Sequence, residues 1–370
     1  MGLQVHAALE RAGVDVTMDS LDQTSDTQLS IKIPPLCKRW LDGQRRIIWT
    51  MYETTECPAE FRDLHEFDQV IVPCDANFEA FSKWHDNVHV VPLAVDDRWQ
   101  YRKPVIGDKF TFLASGSEYR KGLDVAAAAF IAAFPGRDDV ELVMKTPTTR
   151  LHGLPSDSRF RFVDGFLSAE QEVELYASAN CYVGLSRGEG FGMMPLQAIV
   201  QGTPTILSSG HGHGMFEKYG ISVDTILEPA DHYRLYGEAG DWWEPVFDDA
   251  VDKMRDVVDN YTVHVRRASR NAKTAGQLFT WDATVERLLD VIGDFGPYTG
   301  SGQVREVTPL MVTVEVNKPI VADIGQYHID YQPHVEYWCH PDVKRVLRDA
   351  GYVDTDKWHD FRMRRAEDVA

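Results

Sequence analysis

A glycine-rich segment between Ser186 and Thr205 carries the residues best suited to chemistry. It follows an apolar, strand-like run at residues 181–185 and precedes a helical run with Pro195 in its first turn. Free amides at a helix N-terminus bind anions, and glycines let the backbone approach them closely. Glu189 lies just before this helix, and its carboxylate can accept hydrogen bonds from sugar hydroxyls. The segment predicts a site for phosphate and sugar, although plain strand–helix connections are also often rich in glycine.

A second candidate phosphate contact follows the predicted strand Phe110–Ser115. Gly116 opens a polar loop that ends in Arg120, Lys121 and Gly122 and leads into a helical run. Two neighbouring cations can neutralise a diphosphate. The alternative is a solvated helix start, which is unfavourable because cations oppose the positive end of the helix dipole.

The spacing around Glu189 resembles the donor-site signature of the family-4 glycosyltransferases, which are retaining enzymes of the GT-B fold. In that signature a second glutamate follows after seven residues and is thought to hold the ribose hydroxyls of the nucleotide. Gln197 stands there in this sequence, so its amide nitrogen must donate where a carboxylate would accept. Lys121, just before Gly122, matches the family's diphosphate contact. The resemblance implies catalytic roles for Glu189, Lys121 and the adjacent Arg120.

The resemblance also implies a set of donor-binding residues on both loops and after the next strand. They are Gly190, Phe191, Gly192, Gln197, Gly116 and His211. His211 and His213 lie in a loop that borders the donor sugar in the family, so one imidazole can bond a sugar hydroxyl or a phosphate. The alternative is a pair of exposed imidazoles on a mobile loop. Glu217, close behind them, is a further candidate for the same loop.

Glu53 and Glu56 are the candidate acceptor-side residues, because the resemblance places their segment at the cleft. A solvated first turn of a helix is the alternative for both. The acceptor itself stays open between a small glycoside or lipid-linked sugar, a protein hydroxyl and a modified base in DNA. Short glycosyltransferases encoded by bacteriophages, some of which modify DNA, also resemble this chain.

The pattern of elements predicts an α/β protein, since strand-like and helical runs alternate in two successive stretches of the chain. The resemblance runs from about residue 2 to residue 295 and implies a GT-B fold of two Rossmann-like, doubly wound domains that face a cleft. We predict an acceptor-side domain at residues 1–104 and a nucleotide-sugar donor-binding domain at 105–297. A small α+β appendage at 298–370 is predicted to hold a β-hairpin at 304–324 and a helix at 343–350.

The start of the chain departs from this plan. A helical run at residues 3–12 precedes the first predicted strand, at 14–18, so the expected opening strand of the first domain is missing. The alternating run Val312–Val316 in the appendage is a candidate replacement for that strand.

Composition narrows the function classes. With 38 Lys and Arg against 57 Asp and Glu, the net charge is −19, which disfavours sliding on nucleic acid or binding to anionic lipid. A local cluster of Lys38, Arg39, Arg45 and Arg46 around Trp40 is the exception, because it combines phosphate contacts with an aromatic platform. The chain has no apolar run long enough to insert in a membrane and no basic-plus-apolar leader, and its five cysteines are scattered. These features predict a cytoplasmic protein with buried thiols.

The predicted reaction is transfer of a sugar from a nucleoside-diphosphate sugar to an acceptor hydroxyl with retention of configuration. The resemblance implies no cofactor and no divalent metal. The appendage residues His328, His334, Cys339 and His340 match no strong zinc motif, so no metal site is predicted. Three alternatives remain: a phosphorylase or epimerase of the same fold, a transferase acting on a hydroxymethylated DNA base, and a non-catalytic protein that binds sugar nucleotides or serves a structural role.

Overall fold

The computed structural model describes the chain except residues 17, 19–24, 38, 105–106, 117–118, 147–155, 231–238, 295–298, 302, 307–311, 317–319, 325–326, 332–334, 340–351, 356–361 and 366–370. At residue 62 and in 304–370 only the backbone is described. The chain forms a larger and a smaller compact unit, each made of several segments. The larger unit comprises Met1–Asp15, Met51–Cys57 and Ile71–Gly293, and the smaller unit comprises Val16–Thr50, Pro58–Val70 and Asp294–Ala370. The domain boundaries at 104 and 297 stay a prediction.

Helices form where the sequence is rich in helix-forming residues between glycine or polar stops. The α-helices are α1 Gly2–Arg11, α2 Asp75–Phe81, α3 Leu123–Ala133, α4 Ala169–Ala177, α5 Met193–Gln201, α6 Phe247–Asp259, α7 Tyr261–Leu278 and α8 Trp281–Ile292. Short 3-10 helices occupy Pro34–Leu36, Ala59–Glu66, Tyr119–Lys121 and His211–Tyr219.

Strands form at the apolar and β-branched runs between these helices. They are β1 Thr27–Ile31, β2 Arg39–Leu41, β3 Arg45–Trp49, β4 Gln69–Val72, β5 Val88–Val90, β6 Phe110–Ser115, β7 Val140–Lys145, β8 Phe160–Val163, β9 Cys181–Gly184, β10 Thr205–Ser208, β11 Ile221–Val223, β12 Thr225–Pro229, β13 Asp241–Pro245, β14 Val304–Glu306, β15 Val312–Val316, β16 Ile320–Ile324, β17 Tyr327–Tyr331, β18 Val335–Cys339, β19 Tyr352–Thr355 and β20 Arg362–Arg365.

The larger unit contains a six-stranded sheet in the order β11-β10-β9-β6-β7-β8, and every neighbouring pair is parallel. The predicted alternation of strands and helices is therefore confirmed here. Strands β6 and β9 are neighbours, paired through Leu113 and Tyr182. The loops that follow these two strands consequently leave the same edge of the sheet side by side, which is where α/β sheets bind ligands.

The core beneath this edge explains why the loops are held in place. Phe112, Leu142 and Val183 on three adjacent strands are almost fully buried. They pack in one cluster with the alanine-rich helix α3 and with Met254 of α6. Small alanine side chains let α3 lie close to the sheet, and apolar burial of this kind stabilises at about 25 cal/mol per Å².

The chain start is anchored on the larger unit through α1. Arg11 bonds Asp282 of α8 at 2.6 Å, and Val5 is buried. The strand predicted at residues 14–18 is wrong where the structure describes it, since residues 14–16 and 18 lie in neither helix nor strand. Val14 instead donates its amide to Leu9, which closes the end of the helix.

In the smaller unit β1 and β3 pair in parallel, and the appendage adds antiparallel pairs. β14 pairs with β2, β15 with β18, β16 with β17, and β19 with β20. Val312–Val316 therefore pairs with a strand of its own appendage, and the proposal that it replaces a missing parallel strand is wrong. The hairpin joins β16 to β17 and so lies further along the chain than predicted, because alternation identifies strands but not their partners. The helix predicted at 343–350 lies outside the described residues.

The predicted phosphate-binding cluster around Trp40 has a different role for its central cation. The Arg46 guanidinium carbon lies 3.6 Å from the centre of the Trp40 ring and 4.5 Å from that of Phe67. Its Nη1 atom also bonds the Glu66 carboxylate at 3.2 Å, and the residue is 9% exposed. Arg46 is thus committed to cation–π contacts and an ion pair inside the unit. Lys38 lies outside the described residues.

Candidate functional site

The glycine-rich segment forms the predicted strand–turn–helix. Strand β9 ends at Gly184, and α5 begins at Met193 with Gly192 as its N-cap at φ 97°. Residues 180–192 are all buried. Helix α5 ends at Gln201, and Gly202 caps it in the left-handed conformation that glycine adopts readily.

Glu189 is the centre of a charged cluster. Its carboxylate accepts two hydrogen bonds from Lys121 Nζ, at 2.8 and 3.0 Å, and one from Ser186 Oγ at 2.8 Å. Arg120 Nη1 lies 3.4 Å from the same carboxylate. The structure therefore brings together the three residues predicted to be catalytic, and it adds Ser186, which the sequence analysis did not single out.

The electrostatics fix the charge of this carboxylate. Burial alone would raise the pKa of Glu189, but Lys121 and Arg120 act in the opposite direction and leave the pKa well below its usual range. Glu189 is therefore ionised at neutral pH. Such a group serves as a fixed hydrogen-bond acceptor and not as a proton donor.

The loop after β6 is locked against the loop after β9. Gly122 has φ 64°, and a Cβ there would lie 1.8 Å from the Leu185 carbonyl oxygen, so only glycine fits. The amide of Arg187 donates to the carbonyl of Arg120 at 2.7 Å. Gly116, at the start of the same loop, donates its amide to Lys145. The Lys-Gly pair thus owes its spacing to loop packing as well as to any ligand.

Arg187 is the centre of a buried ion-pair network that was not predicted from the sequence. Its guanidinium is almost fully buried and bonds the carboxylates of Asp124, at 2.8 and 2.9 Å, and Glu244. It also lies 3.7 Å from the centre of the Tyr119 ring. A cation directly after an apolar strand was the available signal, since a buried charge requires partners. Arg187 joins the β9 loop to the start of α3 and to β13.

The two acceptor-side candidates, Glu53 and Glu56, have different partners. Glu53 Oε1 lies 3.8 Å from Arg120 Nη2, so Glu53 borders the charged cluster. Glu56 is exposed and pairs with Lys83 at 3.2 Å. The sequence pattern treats the two carboxylates alike, but only Glu53 reaches the cluster.

Two glycines of the segment also make room for neighbouring parts of the protein, and their predicted contact with a phosphate stays a prediction. A Cβ at Gly188 would lie 2.0 Å from the Glu53 carbonyl oxygen, and one at Gly190 would lie 2.6 Å from Met51. Asn77 donates its side-chain amide to the Gly190 carbonyl at 3.3 Å. These glycines were predicted to let the backbone approach a phosphate. In the structure they admit residues 51–53.

The other residues predicted for the donor site and its bordering loop lie in different environments. Phe191 packs edge-on against Phe216, with ring centres 5.1 Å apart, so its side chain belongs to the core. Gln197 is half-buried on α5. Glu217 accepts a hydrogen bond from the Gly210 amide at 2.9 Å and so stabilises its own loop.

His211 and His213 are buried, contrary to the alternative of exposed imidazoles on a mobile loop. They are 3% and 0% exposed and both contact the Ser208 hydroxyl. Burial lowers the pKa of His213 to about 4 and holds the pKa of His211 well below its usual range. Both rings are therefore neutral at pH 7.

These imidazoles predict a loss of stability between pH 7 and pH 4. An unfolded histidine, with a pKa of about 6.5, binds a proton in this window, whereas folded His213 does not until about pH 4. The unfolded state thus binds more protons, so the free energy of unfolding decreases as the pH is lowered, by roughly 3 kcal/mol from His213. Glu189 contributes below this window, since its lowered pKa gives stability that is lost only as pH falls below about 4.3.

Urea denaturation at steps between pH 7 and pH 4 measures this loss. His213→Asn should unfold with a shallower pH dependence than the wild type. Equal slopes for the wild type and His213→Asn would contradict the prediction.

Among the described residues, no cluster of three or more His, Cys, Asp or Glu side chains is placed to hold a metal ion. Within the same part of the chain, no helix is long and apolar enough to cross a membrane.

Comparison with known proteins shows the family and the fold of the chain. A family model described as family 4 glycosyltransferase in conflict systems matches residues 75–288, more than half of the chain. Mannosylfructose-phosphate synthase from Agrobacterium fabrum is 22% identical over 260 residues, covering 60% of this chain and 51% of the synthase. A protein of Sulfolobus islandicus rod-shaped virus 1 is 24% identical over 186 residues, covering 48% of this chain and 50% of the viral protein. The chain thus spans about half the length of these curated relatives.

The fold is also found in solved structures. HepE from Anabaena, crystallised with UDP and glucose, is similar with a TM-score of 0.54 at 12% identity, over 67% of this chain and 71% of HepE. This likeness shows the fold, which is the α/β GT-B architecture with two Rossmann-like domains built on parallel sheets.

Proposed function

The chain belongs to the family 4 glycosyltransferases in conflict systems, and on that basis we propose that it transfers a sugar from a nucleoside-diphosphate sugar to an acceptor hydroxyl. One observation carries the proposal: an ionised carboxylate, Glu189, stands before the N-terminus of α5 and is held by Lys121 and Arg120. Together these groups supply an acceptor for sugar hydroxyls and cations for a diphosphate.

In the proposed reaction the bond between the anomeric carbon and the diphosphate oxygen breaks, and a bond to the acceptor oxygen forms on the same face. The departing diphosphate takes the acceptor proton, so no separate base is required. Charge builds up on the leaving group, and preorganised donors are the main way to stabilise such charge. Lys121, Arg120 and the amides that open α5 are the donors. We propose that they suffice without a divalent metal.

When the donor binds, the lysine and the glutamate of the cluster contact different parts of it. Lys121 is 16% exposed and holds Glu189 through two hydrogen bonds. When a diphosphate binds, Lys121 turns to it, and Glu189 keeps Ser186 while it accepts from a sugar hydroxyl. The same lysine thus couples the two halves of the donor.

A donor screen tests the proposal. UDP-, GDP- and ADP-sugars should be compared by thermal shift, because a ligand that binds the folded state raises its stability. Transfer to small glycosides, to protein and to hydroxymethylated DNA is then followed by mass spectrometry in EDTA, and NMR gives the anomeric configuration. A protein that binds donors without transfer or hydrolysis would be a sugar-nucleotide-binding protein. A protein that binds no donor at all would overturn the proposal.

Replacement of Lys121 by Ala is expected to weaken donor binding by about 10- to 100-fold, because it removes a charge-assisted hydrogen bond of about 1.5–3 kcal/mol. Isothermal titration calorimetry with the best donor of the screen measures this. Lys145→Ala is the matched control, since it also removes a lysine that pairs with a carboxylate, that of Glu172, at 2.8 Å. Equal donor affinity in Lys121→Ala and the wild type would show that Lys121 does not contact the diphosphate.

A further inference from the structure

The loop after β10 holds two imidazoles around one hydroxyl. The rings of His211 and His213 are 4.3 Å apart, and both reach Ser208 Oγ, from Nε2 of His211 at 3.0 Å and from Nδ1 of His213 at 3.3 Å. Ser208 Oγ is also 2.5 Å from the carbonyl oxygen of Ser186. A carbonyl oxygen only accepts, so the single hydroxyl proton of Ser208 is used there.

The position of each ring proton follows from this hydroxyl. Because its proton is used, Ser208 Oγ can only accept from the two imidazoles. The amide of His213 donates to Nδ1 of His211 at 3.4 Å, so the proton of His211 is on Nε2 and points to Ser208. His213 must likewise present a proton on Nδ1. A neutral imidazole has one proton, and burial keeps His213 neutral, so its Nε2 carries a bare lone pair.

Nε2 of His213 has no hydrogen-bond partner among the described residues, although the residue is 0% exposed. A buried polar atom without a partner is costly, and such atoms in native proteins call for an explanation. This one lies at the start of α5, since a Cβ at Gly192 would be 3.2 Å away. The charges of Glu189 and Lys121 also act on the pKa of His213, so its ring lies near the charged cluster.

We infer that Nε2 of His213 accepts a hydrogen bond from one hydroxyl of the donor sugar and so makes the enzyme select sugars that carry that hydroxyl. The inference rests on the proposed function and goes beyond it. A lone pair suits a hydroxyl and not an ionised phosphate, which has no proton to donate. His213 and Glu189 are then two separate acceptors, each for one sugar hydroxyl.

Deoxy and deoxyfluoro analogues of the best UDP-, GDP- or ADP-sugar test the inference, because neither analogue can donate at the changed position. In the wild type one analogue is expected to lose at least about 10-fold in kcat/KM, since a site built to bond a hydroxyl rejects a sugar that lacks it. His213→Asn keeps a donor toward Ser208 but removes the acceptor. It should lose activity on the full sugar and treat that analogue and the full sugar alike.

Three further measurements test whether the loss of discrimination is specific to the acceptor atom of His213. His213→Gln, whose amide oxygen can reach the position of Nε2, should restore part of the discrimination. His264→Asn, which replaces a half-buried histidine of α7 that pairs with Asp256 of α6, should retain wild-type discrimination. Binding of the nucleoside diphosphate alone should be equal in the wild type and His213→Asn, which also shows that the variant is folded.

The ¹⁵N chemical shift of Nε2 in the wild type provides a measurement without any variant. It should change on binding of the sugar nucleotide and stay nearly constant on binding of the nucleoside diphosphate. Undiminished discrimination in His213→Asn, or an unchanged Nε2 shift with the sugar nucleotide bound, would overturn the role of His213 while leaving the transferase proposal intact. Failure of every donor to bind would overturn both.

Discussion

Replacement of Glu189 by Gln is expected to lower kcat by roughly 100-fold or more, comparable to the loss of one preorganised electrostatic contact in an active site. Glutamine keeps the size of the side chain but removes its charge. The amide nitrogen must donate, whereas Lys121 Nζ and Ser186 Oγ both donate to the carboxylate at 2.8 Å. Both of these bonds end on Oε1, which the amide oxygen can replace. The amide nitrogen then takes the place of Oε2, where it cannot accept the 3.0 Å bond from Lys121, and Lys121 and Arg120 face a neutral group. Initial rates of sugar transfer at saturating donor measure the effect.

A matched control separates this effect from the general loss of an ion pair. Glu172 accepts from Lys145 at 2.8 Å in the same unit, so Glu172→Gln weakens the same kind of contact in a different ion pair. Its kcat should stay near that of the wild type. If Glu189→Gln turns over at the wild-type rate, Glu189 does not act on the reacting sugar.

The elements of the donor half could be predicted because each is specified by its own residues. Strand Phe110–Ser115 has its predicted bounds, and helix Leu123–Ala133 forms at the helical run that follows Gly122, since glycines and polar turns bound these apolar runs. That Glu189 and Lys121 meet was also predictable, because the resemblance assigned both to one donor site and parallel strands bring their loops to one edge of the sheet.

What each glycine faces could not be predicted. Gly188 is small because Glu53 lies against it, and nothing local to residue 188 contains that information. The same holds for the proton positions around Ser208, which depend on a carbonyl of another loop. In the appendage, the β-strand pattern was visible at Val312–Val316, but its partner was set by a contact further along the chain. Local pattern identifies elements, and long-range packing decides their partners.

Replacement of Arg187 by Met is expected to lower the free energy of unfolding by about 3 kcal/mol, at the low end of the range for breaking a buried ion pair. Methionine fills similar volume without charge. Asp124 and Glu244 would then lie close together with no cation between them. Their side chains are 38% and 20% exposed, so water compensates for part of the loss. Urea denaturation measures the change.

Two further variants separate the loss of the ion pairs of Arg187 from the loss of its packing contacts. Arg98→Met is the control, because Arg98 forms an exposed pair with Asp96 and such pairs contribute at most about 1 kcal/mol. In the Arg187→Met background, changing Asp124 to Asn and Glu244 to Gln should recover stability, since no unpaired carboxylate remains. Equal destabilisation by Arg187→Met and Arg98→Met would contradict the prediction.

Arg187 also donates to the Tyr119 carbonyl at 2.7 Å, in the short helix that contains Lys121. Arg187→Met should therefore also weaken donor binding through Lys121. If the triple variant recovers stability but not donor affinity, Arg187 itself positions that lysine.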